Sequence, residues 1–291
     1  MIRIVEVGPR DGLQNESTPI PTAAKLDFIR ALAEAGLKEI EATSFVSPKW
    51  VPQLGDAAEL WPELPFGPHY SALVPNLKGL ERALELGIVR IAVFTAASDA
   101  FTQKNINMTV SESLEVFREI LGSFRQRVPG GWVRGYLSTA FECPYAGRID
   151  PKQTVRVAKS LLEIGVDEVS VGDTIGVAVP FEVKFLTELL LDLAPAEKFA
   201  YHFPDTRGTA IANVEAALEM GIRTFDSSAG GLGGCPYAPG AAGNVATEDL
   251  VMALRAAGAI VDLDLAKIGV ASASLASALG RRLGVSAPPT A

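Results

Sequence analysis

Four times along the chain a helix-like run closes on a glycine, an apolar residue follows, and a short apolar strand begins. Glu34-Ala35-Gly36-Leu37 leads into residues 38–41, and Glu85-Leu86-Gly87-Ile88 into 89–93. Glu163-Ile164-Gly165-Val166 leads into 167–171, and Glu219-Met220-Gly221-Ile222 into 223–225. Glycine ends a helix because it tolerates the left-handed backbone of the stop, and the apolar residue after it re-enters the core. The four glycines stand 51, 78 and 56 residues apart, too far for single strand–helix units. Each interval therefore has room for another strand and helix. Apolar runs at 2–7, 70–74, 132–138 and 198–202 supply the strands. Helical patterns fall at 23–35, 110–127, 151–164, 181–193 and 210–220.

Eight strands alternating with helices predict an α/β fold of the (β/α)8 TIM-barrel type, with the active site at the C-terminal ends of the strands. The competitor is a doubly wound open sheet, which usually carries a glycine-rich phosphate turn after its first strand. Gly8-Pro9-Arg10 is not such a turn. At 291 residues the chain fits one barrel domain, 1–291, with a short Pro/Ala-rich tail at its end.

The strand ends then name the candidates. They are Arg10-Asp11 after strand one, Glu41 to Phe45 after strand two, and Gly172-Asp173-Thr174 after strand six. His202-Phe203-Pro204-Asp205 follows strand seven, and Asp226-Ser227-Ser228 runs into the glycine-rich stretch 229–244. Asp11 and His202 form the strongest metal pair, an oxygen-and-imidazole set that suits Mg²⁺ or Mn²⁺ better than zinc. The alternative for His202 is a core histidine bonded to a carbonyl. Arg10, always charged, suits an oxyanion or enolate; its alternative is a solvated surface pair with Asp11. Glu41 and Asp173 either orient ligands and substrate or cap the helices that follow. Cys235 lies between glycines that could hinge a lid, or on a plain surface loop. Cys143, in a second Cys-Pro-Tyr-Ala, reads as packing, and His69 as structural at the opposite barrel face.

Composition narrows the partners. A formal net charge of −8 with no basic run argues against nucleic acid. No apolar run is long enough for a membrane span, and no basic segment precedes an apolar one, so the expected location is cytoplasmic. Two cysteines make no disulfide framework. The expected partner is a small molecule, with a homo-oligomer as the expected assembly.

Longer stretches carry a resemblance. Val7-Gly8-Pro9-Arg10-Asp11-Gly12-Leu13-Gln14-Asn15-Glu16, the run from Glu41 to Gln53, Phe101-Thr102-Gln103-Lys104-Asn105-Ile106-Asn107, Gly172-Asp173-Thr174-Ile175-Gly176 and Gly233-Gly234-Cys235-Pro236-Tyr237-Ala238 resemble the hydroxymethylglutaryl-CoA lyase family. The resemblance runs nearly the whole length. It implies a metal-dependent TIM barrel that cleaves 3-hydroxy-3-methylglutaryl-CoA to acetyl-CoA and acetoacetate, the chemistry of leucine catabolism and ketone-body formation. It further implies Asp11, His202 and Asn244 as ligands of a divalent metal ion, Mg²⁺ or Mn²⁺. Arg10 would then stabilise the enolate, Cys235 help to protonate it, and Glu41 and Asp173 support substrate and metal. One position departs: the family's His-x-His-Asp reads His202-Phe203-Pro204-Asp205, so one expected imidazole ligand is missing. Strand alternation puts 202 and 204 on one face and 203 and 205 on the other, so Asp205 cannot stand in. Alternatives are a condensing enzyme of the same barrel type, a lyase for another acyl-CoA, and a binding barrel that has lost its metal.

Overall fold

A computed structural model describes residues 2–14, 16–233 and 243–283. Eight parallel strands close into a barrel: β1 (Arg3–Glu6), β2 (Glu39–Ser44), β3 (His69–Leu73), β4 (Arg90–Ala96), β5 (Trp132–Ser138), β6 (Glu168–Gly172), β7 (Phe199–His202) and β8 (Thr224–Ser227). They are hydrogen-bonded in sequence order, and β1 pairs with β8 to shut the ring. The expected TIM barrel is therefore the fold. Gly36, Gly87, Gly165 and Gly221 all have positive φ, as the helix stops require.

The helices longer than one turn are α1 (Thr22–Glu34), α2 (Leu77–Glu85), α3 (Asp99–Ile106), α4 (Val110–Arg127), α5 (Pro151–Glu163), α6 (Pro180–Leu191), α7 (Ala210–Glu219), α8 (Thr247–Ala256) and α9 (Leu265–Leu279). Their starts are written in the sequence: Thr109 and Glu112 form a reciprocal capping box on α4, and the Asn76 side chain accepts the Gly79 amide at α2. Leucine, isoleucine, valine and phenylalanine from strands and helices fill one continuous core between the two layers. No described helix is long and apolar enough to cross a membrane.

Three features go beyond the periodicity. Helix α3 follows β4, starting on a Ser98 cap and ending at Asn107 with left-handed backbone. Helices α8 and α9 complete the ring, α9 packing on α1. The segment after β1 is a turn of wide helix, Gly8–Gly12, rather than a plain break. The second Cys-Pro-Tyr-Ala lies in a small hairpin in which Cys143 pairs with Gly147. Cys143 is buried against Ala96 and Phe101, which is a packing role. His69 stands exposed at the start of β3, beside Glu39 at 3.2 Å.

Candidate active site

The wide turn after β1 aims two consecutive side chains at the mouth of the barrel. Its amides at Arg10, Asp11 and Gly12 all bond the Val7 carbonyl. Glycine is required at both ends of the turn. A Cβ on Gly8 would lie 2.6 Å from Glu6 Oε1, and one on Gly12 would lie 2.9 Å from the Leu232 side chain. Arg10 is 6 % exposed. Its Nε donates to Glu41 Oε2 at 2.6 Å, its Nη2 pairs with the same oxygen at 2.5 Å, and its Nη1 donates to Asp11 Oδ1 at 2.8 Å. The guanidinium also lies over the Tyr136 ring, 5.1 Å from its centre, while the Tyr136 hydroxyl donates to Glu41 at 2.9 Å. Burial works against the charged form of Arg10, but Glu41 and Asp11 outweigh it, so the guanidinium is held charged more firmly than in water.

Asp11, His202 and Asn244 meet beside Arg10. Asn244 gives one side-chain amide to Asp11 Oδ2 at 3.1 Å and to the Leu232 carbonyl at 3.1 Å, so its carbonyl oxygen is left as an acceptor. Burial pushes the Asp11 carboxyl up, yet Arg10, His202 and the Asn244 amide hold it below its ordinary value. His202 Nδ1 lies 3.4 Å from Asp226 Oδ2. Asp226 is itself fixed by Arg134 Nη2 at 2.7 Å and the Ser170 hydroxyl at 2.8 Å. Burial lowers the His202 imidazole, but Asp226 and Asp11 carry it above its ordinary value.

Arg10, Asp11, His202 and Asn244 line a cavity of about 730 Å³, together with Tyr136, Ser138, Ser170 and Thr174. Its lining also includes the apolar side chains Val46, Leu73, Phe94, Phe101, Ile106 and Phe117, and the polar Lys104 and Asn107. That size and mixture suit an organic ligand with an anionic or oxygen-rich end. Pro204 also lines the cavity, and its backbone pairs antiparallel with Asn244. Asp205 turns away and accepts the Ala210 amide at the start of α7, at 3.1 Å. The 202/204 face and the 203/205 face thus part as the alternation requires.

Glu41 and Asp173 are both 0 % exposed and do not line the cavity. Glu41 sits beneath Arg10, where burial pushes its carboxyl up against the pull of Arg10. Asp173 Oδ2 accepts the Ala178 amide on the approach to α6 at 2.9 Å. Cys235 lies outside the described residues. Sequence reasoning passed over Tyr136, Arg134 and the use of Asp226. Arg134, Tyr136 and Ser138 stand at i, i+2 and i+4 of β5, a period-two polar face that marks the barrel interior.

Among the described residues no three His, Cys, Asp or Glu side chains gather as a metal cluster. Asp11, His202 and Asn244 nevertheless bring a carboxylate, an imidazole and an amide to one cavity, a donor set that fits a hard divalent ion.

A closed parallel barrel with this rim belongs to the enzyme-bearing class of (β/α)8 folds. Residues 1–274 match the HMGL-like family model. The chain is 48% identical over 283 residues to the mitochondrial hydroxymethylglutaryl-CoA lyase of Bos taurus, covering 97% of this chain and 86% of the relative. It superposes on the crystal structure of hydroxymethylglutaryl-CoA lyase from Pseudomonas aeruginosa with a TM-score of 0.95 at 48% identity, covering 98% of this chain and 95% of the other. An HMG-CoA lyase from Acinetobacter baumannii, solved with coenzyme A and 3-methylmalate, gives a TM-score of 0.91 at 38% identity, covering 97% and 92% of the two chains. The chain belongs to the HMGL-like family.

Proposed function

We propose that this protein is a carbon–carbon lyase that cleaves 3-hydroxy-3-methylglutaryl-CoA into acetyl-CoA and acetoacetate. The observation that carries the reading is the gathering of Arg10, Asp11, His202 and Asn244 in one cavity of a chain 48% identical to such lyases over nearly its full length. In the reaction the tertiary hydroxyl loses its proton and its oxygen becomes the ketone of acetoacetate. The bond between C2 and C3 breaks, and its electron pair passes into the enolate of acetyl-CoA, which then takes a proton at carbon.

Arg10 answers the enolate charge. It is buried, permanently cationic and held by Glu41 and the Tyr136 ring, so it need not reorganise when the charge appears. Asp11, His202 and Asn244 would hold a divalent ion, Mg²⁺ or Mn²⁺, which when bound polarises hydroxyl and carboxylate oxygens of the substrate. Asp226 receives the His202 Nδ1 side, leaving Nε2 for the cavity. Asp173, through its grip on Ala178, supports the loop that brings Thr174 to the same cavity. Cys235 is the proton donor implied by the resemblance. Lys104 and the apolar lining residues suit the charged and pantetheine parts of an acyl-CoA.

A substrate panel run with and without Mg²⁺ or Mn²⁺ tests the reading. Release of acetyl-CoA from 3-hydroxy-3-methylglutaryl-CoA, abolished by chelation, is expected. Activity confined to a different acyl-CoA would replace the substrate. Binding of CoA esters with neither turnover nor metal uptake would favour the metal-depleted barrel that Pro204 suggests.

A further inference from the structure

Beneath the rim, two buried carboxylates hold consecutive backbone amides. Glu6, the last residue of β1, is 0 % exposed. Its Oε1 accepts the Gly8 amide at 2.8 Å and the Ala229 amide at 3.0 Å, and its Oε2 accepts the Thr247 hydroxyl at 2.7 Å. Glu248, in the first turn of α8, accepts the next amide, Gly230, at 2.9 Å, and the Ser272 hydroxyl of α9 at 2.7 Å. Neither glutamate lines the cavity.

Each donor to Glu6 belongs to a different segment of the site. Gly8 opens the turn that carries Arg10 and Asp11. Ala229 opens the short turn Ala229–Gly231, directly before Leu232, whose carbonyl takes the Asn244 amide. Thr247 stands three residues beyond Asn244 at the start of α8. One carboxylate therefore ties together the three stretches of chain that set Asp11 against Asn244.

A carboxyl at this depth is costly to ionise. Burial pushes Glu6 up to about 7, with Glu248 nearby adding to the rise and the three hydrogen bonds opposing it. An apolar side chain would fill the space without that cost, but it would leave two buried amides without acceptors. We propose that Glu6 is a positioning residue that fixes the Arg10–Asp11 turn relative to Asn244, with Glu248 holding the adjoining Gly230. The proposal rests on the reading above that those side chains form the active site.

Glu6→Gln keeps the size of the side chain but turns an amide N–H toward groups that are themselves donors. Hydrogen–deuterium exchange should quicken roughly tenfold or more in peptides spanning 7–12 and 228–233 and stay unchanged in β4 and β5. Turnover of 3-hydroxy-3-methylglutaryl-CoA should fall roughly 10–100-fold, with KM within about threefold of the parent. The unfolding midpoint at pH 8 should not drop, because the variant no longer buries a charge. A lower midpoint with kcat per folded molecule unchanged would make Glu6 a scaffold residue only, and unchanged exchange would remove the clamp altogether. Should Glu6→Gln fail to fold, Thr247→Val removes one donor at constant shape. It should show the same exchange signature with a turnover loss of roughly 3–10-fold, and full turnover would overturn the proposal. If the parent protein does not cleave this substrate, the functional reading fails, while the exchange data still decide whether the clamp exists.

Discussion

Replacing Arg10 by methionine separates charge from shape. Methionine keeps an apolar stem in the space the arginine stem occupies, so the change chiefly removes the guanidinium. That group answers Glu41 twice, Asp11 once and the Tyr136 face. Asp11 keeps 31% of its side-chain surface open, so water can replace Arg10 there. Glu41 is 0% exposed, and among the described residues the Tyr136 hydroxyl is what remains to bond it. Removing one partner of a buried ion pair costs about 3–5 kcal/mol, because the other charge stays buried without compensation.

The sign of the pH dependence follows from Glu41. Burial already holds its carboxyl above the ordinary value, and removing Arg10 raises it further. A carboxyl raised in the folded state leaves the fold intact at low pH and destabilises it as pH rises from the unfolded value through the folded one. Urea unfolding of Arg10→Met should therefore show a penalty of about 3 kcal/mol or more at pH 8 that shrinks toward pH 5. Arg10→Met/Glu41→Gln should recover most of that stability. Acetyl-CoA release at saturating substrate should stay down roughly 10²–10³-fold in both variants, with only a modest change in KM, since the enolate charge arises after binding. If the double variant is no more stable than the single, Glu41 is not the orphaned charge. If turnover survives in either, Arg10 is not the enolate's cation, and weakened binding alone would make it a CoA phosphate contact.

Three further outcomes are expected. Cys235→Ala should lower turnover roughly 10²–10⁴-fold with folding intact, and alkylation should mimic it unless substrate protects; full activity would take the thiol out of the reaction. Pro204→His places an imidazole on the cavity face beside His202 and should tighten Mn²⁺ more than Mg²⁺ in a calorimetric titration; equal affinities before and after would mean that position 204 does not reach the ion. Glu6, raised from 4.5 to about 7, ionises at a cost between those values, so parent stability should fall by about 3 kcal/mol relative to Glu6→Gln from pH 4.5 to above 7; parallel stability curves would show that Glu6 is not the group responsible.

The barrel was legible because its punctuation is local. A glycine that must take positive φ at the end of a helix leaves its mark whatever surrounds it, and four such marks set the strand count. Helix α3 left a weaker mark: it is eight residues long and buries only Phe101 and Thr102. The rim was legible only as far as strand alternation reaches. Arg10 leaves the strand for a wide turn, so nothing in a period of two says that it folds back over Glu41. Asp173 stands one residue past β6, where the chain already bends, and its carboxylate goes to the Ala178 amide. The polar interior of β5 escaped for another reason. Parallel strands buried on both faces read as apolar runs, so Arg134 and Tyr136 look like interruptions until their common face is noticed. Position 204 shows the opposite case. It lies beyond the last residue of β7, yet its antiparallel bridge to Asn244 keeps the backbone extended, and alternation holds for two residues more. The same bridge that makes Pro204 readable also ties it to the backbone of Asn244. A histidine there would thus meet the cavity beside two of the three side chains assigned to the ion, which is why a missing ligand at this position bears on the metal and not only on the strand.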